Sequence, residues 1–117
     1  MKVYLDNCLP RGLKHHLQGQ VDHASDRGWG GLENGELLRR VEPEYEVFIT
    51  VDRAQRSQRA ERQKGYEQYA LGFIVLRVFN NGLPAILPFV AEINASLASL
   101  GPGQVHYIGE PKLMKRL

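Results

Sequence analysis

Short apolar runs alternate with helical segments along this chain, and that alternation restricts the fold more than any other feature. Residues 2–6, 45–51, Gly72–Val78 and Val105–Ile108 read as strands, with a shorter one around Val21–Ala24. Three helical segments lie between or after them. Pro10 fits a first helical turn, with Leu13 and Leu17 on the inner face and Gly19 as the stop. Asn34 is a good N-cap for a helix to Val41, whose apolar face is Leu37, Leu38 and Val41. Residues 83–100 form the most apolar segment, with Ile86, Leu87, Phe89, Val90, Ile93, Leu97 and Leu100 as its buried face and Gly101-Pro102-Gly103 as its end. Strand–helix alternation with connections of this length implies parallel pairing and helices on both sheet faces. The expectation is an α/β fold: one three-layer α/β/α domain over residues 1–117, with a mainly parallel five-stranded sheet.

The remaining segments read as connections. Residues 25–31 form a loop, Asn80-Asn81-Gly82 a turn, and 110–117 a loose basic tail. Residues 53–68 form a very polar, exposed helix or helical loop. Composition agrees with a folded domain, at 43% hydrophobic and 24% charged residues. No apolar run reaches the length of a membrane span, and the start of the chain does not read as a secretory signal. A single cysteine excludes an intramolecular disulfide and suits a reducing cytoplasm.

Two aspartates then stand out by position. Asp6 ends the first strand and Asp52 follows the third. In a parallel α/β sheet, ligands bind in the crevice at the carboxyl ends of the strands. Either acid alone reads most simply as a turn residue. If the two strands are neighbours, however, both carboxylates come within reach of one cation. A hard cation such as Mg2+ or Mn2+ wants such oxygen ligands. Glu36 is the third acid, in a helical first turn that can face the same crevice. Spacing does not separate it from Glu33. Its plain reading is a charge suited to the helix dipole. Asn7 and Asn34 flank the acids and can orient a water or a phosphate.

Charge is concentrated in one segment. Residues 53–64 carry Arg53, Arg56, Arg59, Arg62 and Lys64 against Glu61 alone, while the whole chain is only +2. The arginines step by three, so on a helix they wrap around the cylinder instead of forming a stripe. A solvated face is the default. Arginine nonetheless suits bidentate phosphate contacts, and the run starts directly after Asp52. Trp29 reads as a hydrophobic plug, Cys8 as a buried structural thiol, and His15 and His16 as surface residues. The four histidines lack zinc spacing.

Taken together, Leu5-Asp6-Asn7-Cys8-Leu9-Pro10, Gly28-Trp29, Asn34-Gly35-Glu36-Leu37-Leu38 and Ile49-Thr50-Val51-Asp52-Arg53 resemble the small PIN-like proteins related to VapC-type toxins. Asn81, Leu87-Pro88 and Pro102-Gly103 extend the resemblance through the later half. It implies a PIN-like α/β/α fold in which Asp6, Glu36 and Asp52 hold magnesium or manganese and hydrolyse RNA phosphodiesters. Asn7 and Asn34 would support them, and Arg53, Arg56, Arg59 and Arg62 would bind the RNA. It also implies a toxin–antitoxin role, with RNA and a cognate antitoxin protein as partners and room for a homodimer. Asn7, Asn34 and Gln55 stand where relatives often carry acids, so one metal is expected here instead of two. The alternative is a degenerate PIN-like module that binds a partner protein or RNA without cutting. A receiver-like phosphoacceptor ranks last, because Asp6-Asn7 is not an acidic pair and the expected hydroxyl and lysine are absent from the sequence after strands four and five.

Overall fold

Alternating side-chain direction along each strand sorts this chain into two cores of different chemistry. The computed structural model describes residues 1–52, 65–78 and 80–109. Its strands are β1 (Lys2–Leu5), β2 (Gln20–His23), β3 (Val47–Val51), β4 (Gly72–Arg77) and β5 (Val105–Gly109). They form one sheet in the order β2-β1-β3-β4-β5, and every pairing is parallel. Val3, Leu5, Val47, Ile49, Ile74 and Leu76 enter an aliphatic core. Tyr4, Phe48 and Phe73, the residues between them, enter an aromatic one. This is the period-two pattern of strands buried on both faces.

Each core has its own cover. A 3-10 helix over Arg11–His16 brings Leu13 to the aliphatic side. The helices α3 (Leu83–Ile86) and α4 (Val90–Ser99) add Ile86, Ile93 and Leu97 there. The aromatic side is closed by α1 (Ala24–Arg27) and α2 (Asn34–Val41), through Ala24, Leu37, Leu38 and Val41.

Several local features differ from the sequence expectation. The first helical segment is a 3-10 helix ending at His16, with Leu17 already extended. Part of the expected 25–31 loop is helical, because His23 caps it. The His23 ring accepts from Ser25 N at 3.0 Å, and Asp26 Oδ2 accepts from His23 N at 2.8 Å. Gly28 then ends the turn in the left-handed region at φ 70°, a conformation that costs glycine little. The N-cap of α2 is Glu33, and Asn34 is the first helical residue. The 83–100 segment is divided, with Leu87–Phe89 forming a 3-10 turn around Pro88. Proline lacks an N–H to continue the ladder, and the break leaves Leu87 40% exposed instead of buried. Of the expected polar segment over 53–68, residues 53–64 with their arginines lie outside the described residues, as does the tail 110–117, while 65–67 are helical. No helix among the described residues is long and apolar enough to cross a membrane.

A polar network ties β2 to the aromatic core. The Tyr45 hydroxyl donates to Asp22 Oδ2 at 2.6 Å and accepts from Arg27 Nη1 at 2.8 Å. Arg27 also grips Glu44 at 3.0 Å and lies 4.2 Å above the Trp29 ring. Burial, followed by the bond to Asp22, pushes the Tyr45 phenol up to about 12. Tyr4 is raised as well, by burial and then by the charge of Asp6. A raised phenol favours the folded state while the group is neutral. That contribution is complete below the ordinary tyrosine value of about 10 and is lost as pH climbs through the folded value. Thermal melts should therefore fall with rising pH in this alkaline window, and less steeply for Tyr45→Phe. A phenolate titration in which all five tyrosines ionise together near the ordinary value, with the protein still folded, would contradict this.

Candidate acidic site at the strand ends

Strand pairing carries two acids to one edge of the sheet. β1 and β3 are neighbours, with Leu5 opposite Ile49. The ladder runs one step further, since Asp6 N donates to Ile49 O at 3.0 Å. Beyond β3, Asp52 N donates to Leu76 O at 2.9 Å, which extends the pairing with β4 in the same way. Asp6 thus continues the face of Tyr4, and Thr50 and Asp52 continue that of Phe48. All three occupy the aromatic side, at the carboxyl ends of adjacent parallel strands.

The Asp6 carboxylate is held by its neighbours. Oδ1 accepts from Asn7 N at 2.8 Å, and Oδ2 accepts from Thr50 Oγ1 at 2.7 Å. The Cys8 thiol lies 3.6 Å from the same Oδ2 and 3.7 Å from Thr50 Oγ1. Cys8 is therefore half-buried beside the acid instead of fully enclosed in a core. Asn81 fixes the turn from the far side by donating from Nδ2 to Cys8 O at 2.6 Å. Asp52 is partly buried. Sequence reasoning passed over Thr50. The signal was available, because Thr50 stands two residues before Asp52 and so shares its face.

The rim of the site comes from the loop after α1. Asn7 is exposed, and its side chain rests against Gly30. A Cβ at Gly30 would sit 2.9 Å from Asn7 Oδ1, so the approach needs glycine. Trp29 is partly buried against the aromatic core, with its ring 5.9 Å from Tyr4 and 6.4 Å from Tyr45. It plugs the core beside the site, as its sequence context suggests.

The other expected acid points elsewhere. Glu36 lies in the first turn of α2, where its exposed carboxylate takes Arg40 Nη2 at 3.3 Å, one turn on. Glu33 is exposed and makes no side-chain cap bond. Among the described residues no group of three or more His, Cys, Asp or Glu side chains is arranged to hold a metal ion. The described part of the site is thus a pair of oxygen-donor acids with Asn7 and Thr50, and Glu36 stands apart on its own helix.

Two of the four histidines make structural hydrogen bonds. His23 is buried, and its Nε2 lies 2.8 Å from Leu9 O. A carbonyl can only accept, so Nε2 carries the proton and Nδ1 is the acceptor for Ser25 N. His15 and His16 are exposed, and His106 bonds Ser96 at 3.0 Å. Comparison with protein-family models, curated proteins and solved structures gave no match.

Thr50 should matter to the fold through Asp6. Thr50→Val removes a hydrogen bond to a charged acceptor that water replaces only in part, so it should cost about 1 kcal/mol. Thr50→Ser keeps the donor and should recover most of that. Chemical denaturation would check both, and a loss for Ser with little or none for Val would show that the methyl group, not the hydroxyl, is what counts.

Proposed function

We propose that this chain is a PIN-like, metal-dependent ribonuclease of three-layer α/β/α type, acting in the cytoplasm as the toxin half of a toxin–antitoxin pair. One observation carries the reading: Asp6 and Asp52 stand on one sheet face at the carboxyl ends of adjacent parallel strands. That is where such a sheet binds its ligands. Burying Tyr4 and Phe48 does not require two carboxylates beyond them, whereas binding a cation does.

The donor set suits the metal. Carboxylate oxygens of Asp6 and Asp52, with the amide oxygen of Asn7, are hard ligands appropriate to magnesium or manganese, which keep several waters of their own. When bound, the ion would supply a water activated for attack on phosphorus and neutralise charge that develops there. Thr50 and the Asn7 backbone hold the Asp6 carboxylate in one orientation. Glu36 completes the set by leaving Arg40. An exposed pair of this spacing is worth about 0.5 kcal/mol or less, so its release costs little. Arg53, Arg56, Arg59 and Arg62 hold the RNA backbone without reading its sequence.

The separation of Glu36 from the aspartates favours a second reading, a PIN-like module that binds RNA or a partner protein without cutting. One set of measurements decides between them. On the nuclease reading, manganese raises the melting temperature of the wild type, and Asp6→Asn or Asp52→Asn abolishes that rise and ends cleavage. RNA affinity survives Asp52→Asn but drops broadly across sequences when Arg56, Arg59 and Arg62 become alanine, with a shallower salt dependence. RNA that is bound but left intact with manganese selects the binding module. Absence of both RNA binding and a manganese response removes both RNA readings.

A further inference from the structure

Arg77 ends β4 at the same sheet edge as the two aspartates. Phe48, Phe73 and Val105 stand in one row across β3, β4 and β5, on the side of the aromatic core. Four residues on, the same row is Asp52, Arg77 and Gly109. Asp52 N donates to Leu76 O at 2.9 Å, and Arg77 pairs with Gly109. Side chains alternate along a strand, so Asp52 and Arg77 leave adjacent strands on one face. Gly109 adds no side chain to the row. Its φ is 116°, and a Cβ there would overlap the Arg77 carbonyl, so the position needs glycine.

The Arg77 guanidinium is placed but not paired. Its Cζ lies 5.0 Å from the centre of the Tyr107 ring. The side chain is partly exposed, yet among the described residues its buried Nε has no hydrogen-bond acceptor. Among those residues it forms no ion pair either, whereas Lys14, Arg27 and Arg40 each take a carboxylate. A buried donor without an acceptor opposes folding, and a stack on tyrosine recovers only part of that. A methionine would cover Tyr107 as the arginine stem does, with no N–H to satisfy.

The edge also has a charge to meet. One divalent ion balances Asp6 and Asp52 and leaves the negative charge of a phosphodiester to be answered elsewhere. Arg77 stands one strand beyond Asp52, about 4.8 Å across the sheet. Its guanidinium stays protonated, and the planar fork matches two phosphate oxygens. Stacking on Tyr107 limits the freedom that binding would otherwise remove.

We propose that Arg77 is a phosphate-binding residue of the acidic site, its guanidinium taking backbone oxygens of the bound RNA beside the ion held by Asp6 and Asp52. The choice of RNA rests on the function proposed above. The place of Arg77 on the edge, with its Nε unmet, does not.

Arg77→Met in the full chain tests this, with a short single-stranded RNA as the probe, first in chelator and then in manganese. The expected result is a melting temperature no lower than the wild type's and RNA affinity about tenfold lower in both conditions, the loss of one charge-assisted contact. The salt dependence should also be shallower by about one ion. Arg77→Lys keeps the charge without the fork and should recover only part of the affinity. The manganese shift in melting temperature without RNA should survive both changes, because Arg77 is not a ligand. Unchanged RNA affinity in Arg77→Met overturns the proposal while the RNA reading stands. A lower melting temperature with unchanged affinity overturns it too and assigns Arg77 to structure. Should Arg77→Met fail to fold, Arg77→Lys decides, and binding equal to the wild type's overturns the proposal. A wild type that binds no RNA overturns the RNA reading, and the phosphate role with it.

Discussion

The register between β1 and β3 is the constraint on which the rest depends. Side chains alternate along a strand, so a slip of one residue would exchange the two faces of β1. Val3 and Leu5 would leave the aliphatic core, and Tyr4 would leave the aromatic one. Full burial of side chains such as these contributes about 1.5–3 kcal/mol each, so three misplaced residues outweigh the repulsion of two partly solvated carboxylates. The hydrophobic pattern thus fixes Asp6 beside Thr50, and the hydrogen bond between them follows from the core.

The two faces divide the work unequally. The aliphatic side is sealed by α3, α4 and the 3-10 helix, through branched side chains contributed from along the chain. Among the described residues the aromatic side is covered by α1 and α2, by Tyr66 stacked 4.2 Å from Phe73, and by Trp29 against Tyr4. Large rings bury much area with few torsions to freeze, so a few side chains form much of this core. Arg27 secures it by stacking on Trp29 while bonding Tyr45 and Glu44.

Much of this was legible in the sequence because it rests on periodicity. The strands, the Asn34–Val41 helix with its Leu37, Leu38 and Val41 face, and the parallel sheet all follow from apolar spacing. What was not legible rests on single contacts. Ser25 and Asp26 are ordinary loop residues until the buried His23 ring caps them, and no spacing rule anticipates a histidine cap. Pro88 was visible, but whether a proline kinks or divides an apolar segment depends on the packing of Leu83 and Val90 against the core. Glu36 was legible as a first-turn acid, and so was its alternative partner, since Arg40 lies one turn ahead on the same helix. The place of the Arg77 guanidinium over Tyr107 could not be read at all, because nothing in the sequence tells a stacked arginine from a paired one.

The hydrogen bonds to Asp6 also limit what stability alone can say about function. A carboxylate with a backbone N–H on one oxygen and a hydroxyl on the other has recovered much of what it lost on leaving water. Asp6 can therefore be accommodated by the fold without a cation, and its tolerance there is no argument for one. The argument lies in the pairing of two acids across adjacent strands, each at the end of an apolar run that would fold as well without it. Stability measurements can show that Thr50 holds Asp6. Only a response to the ion itself, lost when either aspartate becomes asparagine, connects that arrangement to chemistry.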